Sequence, residues 1–385
     1  MEAADALVDA ACAQTGLADF GDDSFRDGLD RLVHSLRTEA TLNDTGEVVL
    51  AYLVTNLLAQ RLQVEDWYRR HPEIDDELIV APLIGLGLPR TGSTALSFLL
   101  AEDPCARSLR RWEATNPCPP PSTVDGPDPR IDLAIAAQAM QDEMAPRLAS
   151  LVPSTPTGPE ECQDLMALSF RSHYFQAFAH VPAYSAWLRD ADLTSTYAYE
   201  KRVLKLLQWG TPARPWRLKC PSHLLWLDAL DRVFPDARYV MTHRDPTDVI
   251  VSVADLYCEV AGQFCNDVDP HAMGRLNVDH WTVAMQRLLA FRDGGADDRF
   301  HDMGFRAVQR DPIGEVRTLY ACLGEPLTDE FESGMRRWWE ANAARRDENV
   351  HPDASAFGLD LDDVRRCFGA YSARLPGWIG EETTR

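Results

Sequence analysis

The chain has 385 residues, of which 45% are hydrophobic and 25% are charged, and this composition excludes a wholly disordered or fibrous protein. The net charge of -22 would repel a polyanion, so we expect no nucleic-acid partner. The 9 cysteines form no CxxC pair and suggest free thiols rather than a zinc site. The first twenty residues contain no Lys or Arg, and no apolar run is long enough to span a bilayer. We therefore expect a cytoplasmic protein.

The first 75 residues are predicted to form a helical extension packed on the core of the protein. Apolar residues recur there every four positions, as on one face of a helix. The clearest repeat consists of Leu50, Val54, Leu58 and Leu62. Residues 76–385 are predicted to form the main domain, with a mostly helical insertion at about 130–210.

After residue 77 the pattern changes from helical to strand-like. Residues 78–84 form a short continuous apolar run, which predicts a buried parallel strand. A turn over 85–92 and a helix over 94–100 are predicted to follow. The proline-rich stretch at 117–129 is predicted to be a loop, because its prolines prevent regular structure.

The later part of the chain alternates predicted strands with predicted helices. Strands are predicted at 216–219, 237–242 and 305–309. Helices are predicted at 222–233 after Pro221, at 246–257 with Asp245 as the N-cap, and from Pro312 onward. This alternation implies an α/β fold in which helices cover both faces of a central parallel sheet.

Residues 87–94 read Gly-Leu-Pro-Arg-Thr-Gly-Ser-Thr and lie between the first predicted strand and a helix. Backbone N–H groups at a helix N-terminus form an anion site, and glycines let the backbone approach a phosphate closely. The loop departs from the Rossmann pattern at Arg90 and from the Walker pattern at Ser93, where a lysine is required. Arg90 would supply the cation instead, which predicts an anionic group shorter than a triphosphate. The alternative is a tight turn without a ligand.

A second candidate anion site follows the strand predicted at 237–242. Arg244 lies at the end of this strand, and Ser252 lies eight residues later, about two turns into the next helix. The two side chains can therefore converge on one phosphate. A protein-kinase loop would require asparagine where Ile250 stands, so a kinase of that class is excluded. The alternative role for Arg244 is a surface ion pair with Asp248.

Lys219 ends the strand predicted at 216–219 and is one of only three lysines in the chain. The carboxyl edge of a parallel sheet is where α/β proteins bind their ligands. A single lysine at this edge is a candidate to neutralise charge on a group that is being transferred.

These segments together resemble the large bacterial-type sulfotransferases that use 3′-phosphoadenosine 5′-phosphosulfate (PAPS). The pattern GxPR(T/S)G(S/T)(S/T) is similar to their 5′-phosphosulfate loop, and the spacing of Arg244 and Ser252 matches their 3′-phosphate motif. Their strand motif LKxPxHL matches residues 218–224, and residues 159–162 and 357–360 are similar as well. The resemblance spans about 78–345. It implies a P-loop-like three-layer sandwich, PAPS as donor, 3′-phosphoadenosine 5′-phosphate (PAP) as product and no required metal.

The resemblance also implies a role for each site residue. It assigns the 5′-phosphate to Arg90, Thr91, Gly92, Ser93 and Thr94. It assigns the 3′-phosphate to Arg244 and Ser252, and the sulfuryl group and leaving phosphate to Lys219. Either His223 or Glu113 would remove the proton of the acceptor hydroxyl, and the sequence does not decide between them. The alternatives are a backbone-bonded histidine at a helix start and an ordinary glutamate ion pair.

The acceptor is predicted to be a small hydroxyl compound or a lipid. The helices predicted within 166–199 are rich in aromatic residues, which could line an apolar acceptor pocket. Packing in the protein core is the simpler explanation of this composition. A small-molecule P-loop kinase and a non-catalytic nucleotide-binding protein are the two alternatives in function. The family's usual adenine contact has no match in 305–309, and the sequence leaves an oligomer open.

Overall fold

The computed structural model describes residues 1–151, 154–343 and 352–379. Its five strands form one parallel sheet in the spatial order β2-β3-β1-β4-β5. The strands are β1 (Leu83–Gly87), β2 (Arg107–Ser108), β3 (Trp216–Lys219), β4 (Arg238–His243) and β5 (Phe300–Gly304). This sheet confirms the predicted α/β fold.

Helices account for most of the described chain. Before the sheet lie α1 (Ala4–Thr15), α2 (Ser24–Thr38) and α3 (Asp44–Arg70). Between β1 and β3 lie α4 (Ser93–Leu100), α5 (Arg111–Thr115), α6 (Pro129–Met144), α7 (Pro146–Leu151), α8 (Gln163–Ala167), α9 (Pro182–Asp190) and α10 (Thr194–Gln208). After β3 lie α11 (Leu227–Val233), α12 (Pro246–Ala261), α13 (Pro270–Phe291), α14 (Phe305–Arg310), α15 (Pro312–Leu323), α16 (Asp329–Ala341), α17 (Leu361–Cys367), α18 (Gly369–Arg374) and α19 (Pro376–Ile379). None of these described helices is long and apolar enough to span a bilayer.

Strand β1 lies in the middle of the sheet, and all of its residues are buried. The sequence predicts this strand over 78–84, which is wrong at both ends. Leu78 and Val80 are 71% and 60% exposed, and Pro82 has no N–H group with which to join a ladder. The strand therefore begins after Pro82 and continues to Gly87, which the sequence places in a turn.

The last strand is not at 305–309, where the sequence predicts it. That segment lies within the helix Phe305–Arg310, and the strand β5 directly precedes it. β5 is an edge strand of mixed polarity, so its sequence lacks the apolar run of a buried strand. Pairing with β4 fixes it, and so do contacts of Asp302, which accepts a 2.8 Å hydrogen bond from Arg292 and lies 2.8 Å from Nε2 of His243.

The helix predicted over 222–233 is interrupted after its first turn. Pro221–Leu225 is a 3-10 helix, and α11 begins only after Trp226, whose φ is -137°. The start of α12 agrees with the prediction, since the side chain of Asp245 accepts a hydrogen bond from the Thr247 N–H at 2.8 Å. This cap fixes the start of α12, the helix that carries Ser252.

The N-terminal helices pack on the same core as the sheet. Buried apolar residues from Leu7 to Leu375 form one connected cluster. Arg61 of α3 is fully buried within it, and its guanidinium donates to the carbonyl groups of Phe20 and Leu168 at 2.8 and 3.3 Å. Hydrogen bonds of this kind satisfy a buried cation and fix α3 against the segment after α8.

Candidate active site

The candidate site lies where the carboxyl ends of three adjacent strands meet. β3, β1 and β4 are neighbours in the sheet, and they end at Lys219, Gly87 and His243. Arg244 follows β4 directly. Lys219, the glycine loop and Arg244 therefore lie at the edge where open α/β sheets bind their ligands.

The glycine loop is tightly folded against β4. Gly87 has a φ of 136°, and a Cβ atom there would lie 2.6 Å from the carbonyl oxygen of Thr242. The Thr91 hydroxyl donates to the carbonyl oxygen of Leu88 at 2.7 Å and lies 2.6 Å from Thr242 Oγ1. Gly87 is therefore required by the close approach of two backbones. The Thr91 side chain holds the loop against β4.

Helix α4 begins at the end of this loop without a capping side chain among the described residues. Its N-cap is Gly92, whose φ of 87° is left-handed, and Ser93 and Thr94 form its first turn. The first N–H groups of a helix lack intrahelical partners and carry partial positive charge. The start of α4 is thus suited to a phosphate group.

Arg90 is the first cation of the site. Its φ of 64° is left-handed, and its side chain extends from the loop to helix α12. Nε donates to Ser252 Oγ at 3.1 Å, and Nη1 donates to the carbonyl oxygen of Leu151 at 2.6 Å. Burial and the positive charge of Arg244 lower the pKa of Arg90. Both hydrogen-bond partners are neutral, so the charge of this guanidinium can still be offset by an anion.

Arg244 is the second cation and lies beside the first. Its Nη1 donates to the carbonyl oxygen of Arg90 at 3.2 Å, and its Cζ lies 4.6 Å from the centre of the Phe305 ring. The predicted ion pair with Asp248 is present, but at 3.4 Å it is long and the Asp248 side chain is 37% exposed. Such a pair contributes little. The structure thus brings Arg90, Arg244 and Ser252 into one group.

The Arg90 side chain lies between the two predicted anion motifs. The motif assigns Arg90 to the 5′-phosphate with the rest of its loop. Its guanidinium donates to Ser252, which is the residue expected at the 3′-phosphate. The left-handed backbone at Arg90 accompanies this direction of the side chain, which connects the two predicted anion motifs.

Lys219 connects the end of β3 to the start of α4. Its side chain is buried, and its Nζ lies 3.4 Å from Thr94 Oγ1 and forms an ion pair with Glu161. Burial alone would lower the pKa of Lys219, but the Glu161 carboxylate raises it above its ordinary value. The lysine therefore stays protonated next to the glycine loop.

Glu161 is a site residue that sequence reasoning missed. Its carboxylate contacts the Lys219 ammonium group, although the two residues are 58 positions apart in the chain. Glu160 lies next to it, and burial raises the pKa of Glu160 despite the opposing charge of Arg111, 3.8 Å away. Nothing in the sequence around Glu160 and Glu161 indicates that one of them pairs with Lys219. The only signal was the likeness of 159–162 to a known family.

His223 is fully buried in the 3-10 helix that follows β3. Its Nδ1 lies 3.0 Å from the hydroxyl of Tyr197, and its Nε2 has no hydrogen-bond partner among the described residues. Burial lowers the pKa of His223 to about 3, so the ring is neutral at pH 7. A neutral ring with one free nitrogen has the form that a general base needs.

Glu113 is held by contacts that use both of its carboxylate oxygens. Oε1 accepts a 2.7 Å hydrogen bond from Arg107, and Oε2 accepts one from the Arg110 N–H at 3.1 Å. The second bond closes a capping box at the start of α5. Burial raises the pKa of Glu113. Glu113 thus forms an ion pair, as the alternative expects, but with Arg107 rather than with the adjacent Arg110 or Arg111. Its catalytic role remains a prediction.

A buried group of side chains lies behind His223. Cys162, Glu200 and His223 each offer an atom able to bind a metal, and these atoms lie within 4.8 Å of one another. All three residues are fully buried. The sequence gives no sign of this group, because its members come from three separate elements.

Comparisons with known proteins agree with this geometry. Residues 82–329 match the model of the sulfotransferase family. The fold is similar to that of sulfotransferase STF9 from Mycobacterium avium, with 32% identity, a TM-score of 0.88 and 97% of each chain covered. It is also similar to that of sulfotransferase STF1 from Mycobacterium tuberculosis H37Rv, with 29% identity, a TM-score of 0.84, and 95% of this chain and 98% of that chain covered. No match was found among curated protein sequences.

Proposed function

This chain belongs to the sulfotransferase family, and from that premise we propose that it transfers a sulfuryl group from PAPS to a hydroxyl group of a small-molecule or lipid acceptor. The observation that carries the proposal is the convergence of Arg90, Arg244 and Ser252 at the carboxyl edge of the sheet. A site with two cations and a hydroxyl group is suited to one phosphate of a doubly phosphorylated nucleotide.

The charges of Arg90 and Arg244 favour the binding of an anion between them. Two guanidinium groups side by side repel each other, and the pKa of Arg90 is lowered by burial and by this repulsion. The contact of Asp248 with Arg244 offsets only part of the charge. Each charged hydrogen bond to a phosphate is worth about 1.5–3 kcal/mol, which is enough to make a 3′-phosphate a strong determinant of binding.

The glycine loop fits the other end of the nucleotide. The uncapped start of α4 offers backbone N–H groups, and Gly87 and Gly92 allow the backbone to approach a ligand. We assign the 5′-phosphate to residues 91–94, with Arg90 extending from this loop toward the 3′-phosphate. A kinase that binds a triphosphate would need a lysine where Ser93 stands.

When bound, PAPS supplies a sulfuryl group that its bond to phosphate already activates, so the proposal requires no metal ion. The Lys219 ammonium group, beside Thr94, stabilises negative charge on the transferring oxygens and the leaving phosphate. Glu161 keeps this lysine charged and oriented. The acceptor oxygen bonds to sulfur as the bond from sulfur to the phosphate oxygen breaks, and a base takes the hydroxyl proton.

His223 is the base that the contacts favour. Its Nε2 has no partner among the described residues, whereas both oxygens of Glu113 are engaged by Arg107 and by the backbone of α5. His223 also follows Lys219 by four residues, so proton removal and charge stabilisation would occur close together. The Glu113 assignment is retained as the alternative base.

The acceptor pocket is proposed to lie beside the segment 166–199. Some aromatic residues of this segment are core residues, since Phe175 and Tyr184 are 3% and 1% exposed. Tyr174, Phe178 and Trp187 are only partly buried and pack on the edge of the core. These partly buried rings support an apolar acceptor, as a phenol or a lipid would be.

Binding and transfer measurements with the full chain test this proposal. Calorimetric titration with PAP, ATP and ADP should show tight binding of PAP only. Labelled PAPS should then pass its sulfuryl group to at least one member of a panel of phenols, aliphatic alcohols and sterols. Preference for ATP would indicate a kinase, and PAP binding without transfer to any acceptor would indicate a non-catalytic protein.

A further inference from the structure

Two residues of helix α10 lie close to the His223 ring. Tyr197 and Glu200 are three positions apart, which places them on one face of the helix. Both are fully buried. The Tyr197 hydroxyl lies 3.0 Å from Nδ1 of His223, and the two ring centres are 5.4 Å apart.

Glu200 is unusual among the buried acids near the site. Its hydrogen-bonding neighbour among the described residues is the Cys162 thiol, a weak donor, and neither carboxyl oxygen has a partner of good geometry. Glu113 and Glu161, by contrast, are each paired with a cation, Arg107 and Lys219 respectively. A fully buried carboxyl group with so weak a partner is destabilising, so a site that serves only stability would not be expected to retain it.

The surroundings of Glu200 consist of groups that can exchange or accept protons. A carboxyl oxygen of Glu200, the Cys162 sulfur and a ring nitrogen of His223 lie within 4.8 Å of one another. The Glu200 carboxyl acts on the hydroxyl of Tyr197, whose pKa is raised by burial and then by this charge. Cys220 is close to both Cys162 and Tyr197. None of the titratable groups described around Glu200 is a cation.

We propose that Glu200 is a positioning residue for His223, and that with Tyr197 it fixes the ring tautomer and supplies the counter-charge for the protonated ring. The inference rests on the proposed function, in which Nε2 of His223 removes the acceptor proton. In that tautomer the Nδ1–H group donates to the Tyr197 oxygen, which leaves the lone pair of Nε2 available.

The proton balance of the step is simple. The acceptor O–H bond breaks, the N–H bond at Nε2 forms, and the acceptor oxygen bonds to sulfur. His223 is then an imidazolium ion in a fully buried place, where a lone positive charge is strongly disfavoured. An ionised Glu200 carboxylate offsets this charge.

This arrangement makes transfer depend on pH. Burial raises the pKa of Glu200 to about 8, so the carboxyl is neutral below that pH and ionised above it. His223 is neutral throughout this range, because burial lowers its pKa to about 3. Turnover should therefore rise with pH through about 8, as the counter-charge forms. Cys162, Cys220 and Tyr197 keep raised pKa values and stay protonated over most of this range.

Three variants of the full chain test the proposal. Glu200→Gln keeps the shape of the side chain and removes its charge, and Tyr197→Phe removes the hydroxyl group that contacts the ring. Tyr199→Phe is the matched control, because Tyr199 lies on the same helix but faces Arg61, with Cζ 3.9 Å from the Tyr199 ring centre. Glu200→Gln should lower turnover by about 10- to 100-fold and abolish its rise near pH 8, with the Kd for PAP unchanged. The control should match the wild type.

A second readout does not depend on activity. Nitrogen-15 NMR of the histidine rings, with His223→Asn to assign the signal, should show the Nδ1–H tautomer of His223 in the wild type. Tyr197→Phe and Glu200→Gln should both change that tautomer or its population. Absence of transfer by the wild type would contradict the proposed function, while this readout would still test the positioning role.

Two results would overturn the inference. One is a Glu200→Gln protein with wild-type turnover, pH profile and His223 tautomer. The other is an equimolar metal ion in the purified protein, measured by plasma mass spectrometry and lost in Glu200→Gln. The three buried side chains would then be metal ligands, and His223 would be unable to act as a base.

Discussion

Two groups of charged side chains meet at the end of β4 and differ in how their charges are balanced. In one, Asp302 accepts two hydrogen bonds from Arg292, each 2.8 Å long, and lies 2.8 Å from His243. In the other, Arg90 and Arg244 lie side by side and make hydrogen bonds mainly to neutral groups. Balanced charges hold the edge strand in place, and the unbalanced pair is the group that we assign to a ligand. An arginine that is paired with a carboxylate is therefore assigned a structural role, and an arginine that contacts mainly neutral groups is assigned to ligand binding.

The largest expected effect is on stability and concerns the balanced group. Arg292→Leu removes the guanidinium that donates two hydrogen bonds to Asp302, whose side chain is only 14% exposed, and should lower the free energy of unfolding by about 3–5 kcal/mol. Arg365→Leu is the control, because the Arg365–Asp362 pair is exposed and should contribute only about 0–1 kcal/mol. Urea denaturation measures both. If both substitutions lowered the free energy of unfolding by the same small amount, the Asp302 group would not have the structural role assigned to it.

The next effect is on turnover and concerns Lys219, at the end of β3. Lys219→Ala removes the cation at the transferring group and should lower turnover by about 10²–10³-fold. PAP should still bind, because its phosphates contact other residues. Lys205→Ala is the control, since Lys205 donates to the carbonyl oxygen of Asp75 at the surface, away from the sheet edge. Retained turnover in Lys219→Ala would exclude the proposed role.

The balanced group should also make stability depend on pH. Burial alone would raise the pKa of Asp302, but hydrogen bonds from His243 and Arg292 hold it well below its usual range. A lowered pKa contributes stability that is present above the ordinary carboxyl pKa and is lost as the pH falls below about 4. Asp302→Asn should therefore be less stable than the wild type at pH 7, with the difference shrinking in acid. A difference that is constant with pH would contradict this.

The smallest expected effect is that of Glu113→Gln on turnover. Since the Glu113 carboxylate is engaged by Arg107 and by the start of α5, the change should alter turnover by less than about threefold. Unfolding should become easier by about 1–3 kcal/mol, because a buried ion pair is lost. A folded variant with turnover reduced by 10²-fold or more, on the order expected for a lost base, would identify Glu113 as the base in place of His223.

Local patterns were sufficient to predict much of the site. The strand, glycines and helix start of 83–100 are contiguous, so the sequence already indicated an anion site there. The Arg244–Ser252 spacing lies within one strand-to-helix connection and was equally readable. Lys219 could be placed at the sheet edge because it ends an apolar strand.

Features that depend on distant parts of the chain could not be predicted. β5 is polar and is held as a strand by β4 and by the contacts of Asp302. The Glu161–Lys219 pair joins residues 58 positions apart, and Glu200 lies near His223 because α10 contacts the 3-10 helix that follows β3. The start of β1 was predicted too early for a local reason. The apolar residues before Pro82 resemble a strand, but they lie at the surface.

The most direct test of the central claim is the preference of the protein for PAP over adenosine 5′-monophosphate, which lacks the 3′-phosphate. Calorimetry should show that the wild type binds PAP roughly 10- to 100-fold more tightly, as expected for the charged hydrogen bonds that the extra phosphate would make. Arg244→Ala should bind both nucleotides with nearly the same Kd. If Arg244→Ala kept the full preference for PAP, the 3′-phosphate would bind elsewhere and the paired arginines would not be its site.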